Sequence, residues 1–278
     1  MGELVARLKS GGGAHEIVVC VSGVAELRQL TQSLLEHGVP SVVLKGYSTA
    51  LHVYSDPFSR KMNDIDLLVM PEDLKNAVSC LLAQGYTLTK RYSDVATLRK
   101  DVGFEVEVHT HPFSRLFYGD GAGHFFENSV KLRIGNFEFA APCREDLFLE
   151  LCVHLYMHLN YYRQNVPERW LRELRDACLV LGPLLDREHV NRDIRAYRLS
   201  RAVGAGLAAA QAQIPEGIFA PPEHGLHRTL VALCESPHVP KLGGLFAALS
   251  ALLYGNPDTH KKLLLLREAL RSGAPSSH

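Results

Sequence analysis

Asn63-Asp64-Ile65-Asp66-Leu67-Leu68-Val69 is the stretch on which the reading of this chain turns. Ile65 to Val69 form a short apolar run behind a polar loop, which predicts a buried strand. Residues two apart on a strand project to one side, so Asp64 and Asp66 point together. Carboxylates held that close repel each other, and burial raises one pKa unless a cation sits between them. A divalent cation removes the conflict, and carboxylate oxygens are the hard ligands that Mg²⁺ takes. An isolated D-x-D also occurs as a pair of solvated carboxylates at a strand entrance, so the neighbouring sequence has to decide.

About twenty residues upstream, Leu44-Lys45-Gly46 ends a short β-branched run at 41–44 and precedes a helical pattern at 47–54. A glycine at a strand-to-helix turn lets backbone amides approach a phosphate, and the helix N-terminus favours an anion. Lys45 adds a charge to the same phosphate; the plain alternative is an ordinary turn. Arg60, in the polar loop 55–63, either contacts a triphosphate or pairs with Asp56. Downstream, Phe104-Glu105-Val106-Glu107-Val108-His109 alternates apolar and polar residues, so Glu105 and Glu107 share one face of a strand. Either completes a three-carboxylate site with Asp64 and Asp66, an arrangement that bridges two metals in nucleotidyl transfer. His109 either orients that site or the acceptor, or is a strand-end histidine without a role.

The rest of the chain supplies the frame. A helix at 25–36 carries Leu27, Leu30, Leu34 and Leu35 and stops at Gly38 and Pro40. Pro71 opens another as a first-turn proline, with Glu72 and Asp73 near its positive end, an apolar stripe of Leu74, Val78, Leu81 and Leu82, and Gly85 as its stop. Residues 86–140 read as short alternating segments, including a hairpin of 132–134 with 137–139 across Gly135-Asn136. Beyond Pro142 the pattern is helical at 146–160, 168–181, 194–210, 226–234, 245–253 and 260–271, and the tail 272–278 is expected to be disordered. An α/β half at 1–142 is thus followed by an all-helical half at 143–278.

Composition narrows the function classes. The chain has 278 residues, 46% hydrophobic and 22% charged, enough apolar material for a core without staples. The formal net charge is zero, so no global field draws in a polyanion and nucleic acid is disfavoured as a partner. The feature that argues the other way is Arg192, Arg195, Arg198 and Arg201, which recur at helical spacing as a basic stripe or a solvated face. Six cysteines without a C-x-x-C read as buried free thiols in a reducing compartment. The first residues lack a signal-peptide pattern and the apolar runs are too short for a bilayer, so a cytoplasmic protein with no membrane partner is expected. His154 and His158 have a metal-like spacing, but H-L-Y-M-H lacks the glutamate of a zinc protease. Asp176 is expected to be an internal hydrogen-bond partner.

Taken in order, Leu44-Lys45-Gly46, then Arg60-Lys61-Met62-Asn63-Asp64-Ile65-Asp66-Leu67-Leu68-Val69, then Val106-Glu107-Val108-His109 resemble the uncharacterised bacterial nucleotidyltransferases of the DNA polymerase beta superfamily. The likeness covers roughly 25–180 and includes His154, His158 and the stretch 170–176. It implies an α+β fold, with a small mixed β-sheet carrying the metal site and an all-helical domain closing the cleft for nucleotide and acceptor. It implies Asp64, Asp66 and Glu107 as catalytic metal ligands, Mg²⁺ or Mn²⁺ as cofactor, and an NTP such as ATP as co-substrate. Glu107 is favoured over Glu105 because the family's third carboxylate stands two residues before a histidine. Lys45, Gly46, Ser48 and Arg60 are the corresponding nucleotide-binding candidates. Most members carry Gly-Ser or Gly-Gly at the first turn; Lys45-Gly46 stands there instead, which leaves Ser48 to replace the phosphate-gripping serine.

The expected reaction moves an NMP group from the NTP to a small-molecule or peptide acceptor. A leucine- and alanine-rich helical half suits a walled pocket, and no aromatic-and-basic repeat suggests a stacking groove for single strands. Two alternatives differ in kind. A tRNA-modifying, toxin-like nucleotidyltransferase needs a basic groove with exposed aromatics. A catalytically silent nucleotide-binding regulator is disfavoured by the presence of all three carboxylates.

Overall fold

The computed structural model describes residues 14–60, 62–92, 94–113, 121–160, 166–213, 215, 217 and 218. The helices expected at 226–234, 245–253 and 260–271, and the tail, lie outside the described residues. The architecture is α+β with a small mixed sheet, and it divides into two compact units. One holds the described residues up to Pro112 together with Gly121–Leu147; the other holds Phe113 and the described residues from Phe148 onward.

In the first unit, α1 (Ala14–Glu36), β1 (Val42–Val43), α2 (Lys45–Val53) and β2 (Asp64–Leu68) come first. α3 (Leu74–Ala83), β3 (Thr87–Arg91), β4 (Val95–Arg99) and β5 (Glu105–His109) follow. α4 (Ala122–Glu127) and the hairpin β6 (Val130–Ile134) and β7 (Phe137–Ala141) complete it. The main sheet has the order β1-β2-β5-β4-β3, and β6-β7 forms a separate ribbon. β2 and β5 run parallel, while β1 on β2, β4 on β5 and β3 on β4 are antiparallel.

Period-two alternation divides the labour of the two central strands. Ile65, Leu67, Val106 and Val108 are buried in one core with Leu27, Leu30 and Leu34 of α1 and Leu74, Ala77 and Leu81 of α3. Each buried Leu, Ile or Val side chain contributes about 1.5–3 kcal/mol. The alternate positions, Asp64, Asp66, Glu105, Glu107 and His109, therefore fall together on the other face.

Several elements differ from their sequence reading. α1 begins eleven residues before the expected start at 25, running through Gly23. A Cβ at Gly23 would stand 2.8 Å from Phe104 Cζ, so this mid-helix glycine permits a close approach that outweighs its poor helix propensity. Pro71 opens a 3-10 turn, Pro71–Asp73, rather than α3 itself. Leu82, expected in the buried stripe, is 44% exposed, because the apolar face of α3 turns on Leu74, Ala77, Val78 and Leu81. The hairpin is two residues longer at each outer end than expected, with Gly135 at φ +61° in its turn.

In the second unit, α5 (Arg144–Asn160, from Phe148 on), α6 (Glu168–Leu181), α7 (Arg187–Ala196) and α8 (Ser200–Ala210) pack as a helical group. A Cβ at Gly206 would lie 2.7 Å from the Cys152 carbonyl oxygen, so α8 and α5 meet backbone to backbone there. The single helix expected at 194–210 is two. Arg198 takes φ +57°, and Leu199 N donates to Ile194 O at 2.9 Å, a left-handed cap that ends α7 without a glycine. The arginine stripe is broken accordingly: Arg192 and Arg195 belong to α7, Arg198 to the turn, and Arg201 to α8, its guanidinium 5.6 Å from the Tyr156 ring centre. Cys80, Cys143, Cys152 and Cys178 are free thiols, and burial pushes Cys178 up to about 12, far from thiolate reactivity. Among the described residues no helix is long and apolar enough to cross a membrane.

Candidate functional site

The short strand β1 positions one half of the site. Val42 and Val43 pair antiparallel with Leu68 and Leu67, and Leu44 N donates to Asp66 O at 2.9 Å. The next residue, Lys45, therefore arrives beside Asp66, and its Nζ lies 2.9 Å from Asp66 Oδ1. Lys45 holds φ +40°, a region that costs a side-chain-bearing residue about 1–2 kcal/mol. Strain of this kind persists where its surroundings over-determine it, and functional sites are where it clusters.

The parallel pairing of β2 with β5 positions the other half. The register sets Asp64 beside Glu105, Asp66 beside Glu107 and Leu68 beside His109. His109 Nε2 lies 3.0 Å from Asp66 Oδ1 and 3.2 Å from Glu107 Oε2. One donor atom from each of Asp66, Glu107 and His109 falls within 4.8 Å of the others. Glu105 shares the face but reaches outward, with Oε2 3.9 Å from Arg99 Nε, a long and exposed pair.

The electrostatics distinguish the two aspartates. Burial pushes Asp66 up, but the Lys45 ammonium and the His109 hydrogen bond outweigh it and hold the carboxyl well below the usual range. The Asp64 side chain keeps an open edge, yet crowding by protein on its other sides and the negative charge of Asp66 raise it to about 6. Lys45 and Arg60 relieve only part of that. The hydrogen bond from His109 lowers Glu107 against the effect of burial. Burial and Lys45 lower His109, and its bonds to Asp66 and Glu107 raise it further than they lower it.

Around this cluster, the α2 N-terminus begins at Lys45 without a side-chain cap. Gly46 lies beneath Arg60: a Cβ there would be 3.3 Å from Nη1, which itself donates to Met62 Sδ at 2.9 Å. Asp56 accepts from Phe58 N at 3.0 Å and starts a 3-10 turn at Pro57. Ser48 stands apart from its expected role. Its hydroxyl is buried and donates to the Val43 carbonyl, which ties α2 to β1.

His154 and His158 form an aromatic cluster with Trp170, each ring 4.7 Å from the indole. Neither belongs to a group of three metal-capable side chains among the described residues. His109 is the residue that sequence reasoning left undecided. The available signal was its position two after Glu107, on the same strand face.

A divalent cation fits this donor set. Two carboxylates and an imidazole converge, and the Asp64 carboxyl, raised by desolvation first and by the Asp66 charge second, is only partly relieved by Lys45 and Arg60. The uncapped α2 N-terminus, Lys45 and Arg60 offer N–H groups and positive charge to phosphates from the side of Gly46.

A family model described as uncharacterised nucleotidyltransferase matches residues 21–214. A search of curated proteins found no match. Among solved structures, the antibiotic-resistance factor ANT(2'')-Ia is similar at 14% identity and a TM-score of 0.46, over 68% of this chain and 97% of that one. The lincosamide antibiotic adenylyltransferase LnuA with lincomycin bound is similar at 9% identity and a TM-score of 0.41, over 56% and 96%. An antigenic nucleotidyltransferase-like protein from Paracoccidioides brasiliensis is similar at 15% identity and a TM-score of 0.40, over 72% and 97%.

Proposed function

The chain belongs to the family of uncharacterised nucleotidyltransferases, and from that membership we propose that it moves an NMP group from an NTP to a small-molecule or peptide acceptor, with Asp64, Asp66 and Glu107 holding divalent metal. The observation that carries the reading is the parallel register that sets Asp66 beside Glu107, with Lys45 and His109 both reaching Asp66 Oδ1. The residues proposed to carry the reaction all lie within 1–142.

In the proposed reaction the acceptor oxygen bonds to the α-phosphorus. The bond from that phosphorus to the β-phosphate oxygen breaks, and pyrophosphate leaves. The hydroxyl proton passes to a carboxylate of the cluster. A bound Mg²⁺ or Mn²⁺ would acidify the acceptor hydroxyl and offset the charge that develops on the phosphoryl oxygens. Lys45, the backbone at Gly46 and Arg60 hold the triphosphate, and Ser48 keeps the turn in place rather than gripping a phosphate. His109 reaches both the Asp66 and the Glu107 carboxylate.

A small acceptor is supported by the zero net charge and by the broken arginine stripe, which offers no continuous basic track for an RNA strand. The test is NTP-dependent pyrophosphate release screened against small-molecule, peptide and tRNA pools. The expected result is release with a small molecule or peptide. Tight tRNA binding at physiological salt with 3′-end extension would overturn the acceptor assignment.

A further inference from the structure

The reading above gives the cation to carboxylates alone, yet the geometry brings a nitrogen to the same point. His109 Nε2 lies 3.0 Å from Asp66 Oδ1 and 3.2 Å from Glu107 Oε2. Neighbouring ligands in an octahedron with bonds of about 2.1 Å stand about 3 Å apart, the bond length multiplied by the square root of two. Nε2 therefore already stands at the spacing of an adjacent ligand from each carboxylate oxygen, and one donor atom from each of the three residues lies within 4.8 Å of the others. Their positions are fixed by the fold: Glu107 and His109 are two apart on β5, and Asp66 is the partner of Glu107 on β2. His109 is 15% exposed, so its ring is held by protein yet opens onto the carboxylate face.

We propose, resting on the metal-dependent reading above, that His109 ligates the site's cation through Nε2, and that the site consequently selects Mn²⁺ over Mg²⁺. Mg²⁺ takes oxygen ligands almost exclusively, whereas an imidazole nitrogen suits transition metals. Replacing one oxygen by a nitrogen therefore weakens the case for Mg²⁺ and strengthens it for Mn²⁺. In the cation-free protein the same nitrogen and Lys45 Nζ both bond to Asp66 Oδ1, and Lys45 remains to balance that carboxylate when Nε2 turns to the metal. The rival role is a proton-bearing imidazole that only orients the two carboxylates. A positioning residue of that kind affects all cations alike and gives no nitrogen in the metal's coordination shell.

Two measurements on the full chain, neither of which reads turnover, separate these roles. Calorimetric titrations compare Mn²⁺ and Mg²⁺ binding in wild type and His109→Gln, with and without a non-hydrolysable NTP analogue. Pulsed EPR of the Mn²⁺-loaded proteins looks for imidazole-nitrogen coupling. The expected result is nitrogen coupling in wild type and its loss in His109→Gln, with Mn²⁺ affinity down about tenfold or more and Mg²⁺ affinity changed much less. Absent coupling in wild type, or an equal loss for both ions, overturns the ligand assignment. Asp66→Asn run alongside locates the failure. If Asp66→Asn keeps wild-type Mn²⁺ binding, or wild type binds no Mn²⁺, the metal-dependent reading falls with it; if Asp66→Asn abolishes binding, only the role of His109 does.

Discussion

The charged groups of the β2–β5 face and those of the helical unit are arranged on different principles. In the helical unit those of α7 pair within one helix and its cap. Asp186 accepts from Glu188 N and His189 N and caps α7, while His189 Nε2 and Arg192 Nε lie 3.0 and 2.9 Å from the buried Asp193 carboxylate. On the β2–β5 face, three carboxylates, an ammonium and an imidazole share one small area, and Asp64 still rises to about 6. Folding alone does not call for that crowding. Negative charge left in surplus beside a helix N-terminus is what a site for a metal–nucleotide complex requires.

After Asp66, the contrast is broken most severely at Glu107. Glu107→Gln is expected to lower turnover about a hundredfold or more, equivalent to about 3 kcal/mol of lost transition-state stabilisation, with the circular dichroism spectrum unchanged. Glu105→Gln, on the same face but directed to Arg99, is expected to cost less than about threefold, well under 1 kcal/mol. Steady-state pyrophosphate release compares them, and the reverse ranking would reassign the third carboxylate.

A change in the helical unit is expected to act on folding instead. Gly206→Ala drives a methyl into the Cys152 carbonyl and is expected to cost about 1–3 kcal/mol of stability. Urea titration reads that loss, and turnover per folded molecule should be unchanged. An unshifted midpoint would contradict the close packing of α8 on α5.

The smallest expected effect is the pH dependence at Asp64. A carboxyl raised in the folded state holds its proton more tightly there than in the unfolded chain. Stability is therefore greatest below about pH 4 and falls as pH rises toward about 6. In cation-free buffer, Asp64→Asn should melt a few degrees above wild type at neutral pH, with the gap closing as pH falls to about 4. A gap independent of pH would contradict a raised Asp64 carboxyl, whether by desolvation or by the Asp66 charge. Saturating Mn²⁺ should narrow the neutral-pH gap, because only wild type keeps the full ligand set.

Much of the sheet face was legible because strand alternation is a strict rule. Asp64-Ile65-Asp66 and Glu105 to His109 declare their faces from period two alone. Which strands pair, and in what register, is long-range information. The choice between Glu105 and Glu107 therefore came from family likeness; the register sets Asp64 beside Glu105 and Asp66 beside Glu107. The commitment of the Ser48 hydroxyl to Val43 was equally invisible, since it depends on a contact between elements. Where local rules failed, tertiary packing had overridden them. The helix expected to start at 25 runs on through Gly23, which admits Phe104, and Arg198 reads as helical but takes a left-handed cap. Leu82 fits the helical period and still faces outward, at the margin of a stripe narrower than the sequence suggested.

Turnover by Asp66→Asn tests the central claim most directly. The substitution is nearly isosteric and removes the carboxylate on which Lys45 and His109 converge. Wild type and variant are assayed together for NTP-dependent pyrophosphate release with the acceptor found by screening, after circular dichroism establishes that both are folded. A divalent-metal site centred on Asp66 predicts release by wild type, its loss on chelation, and a fall of about a thousandfold or more in the variant. Near wild-type turnover by a folded Asp66→Asn protein would contradict it.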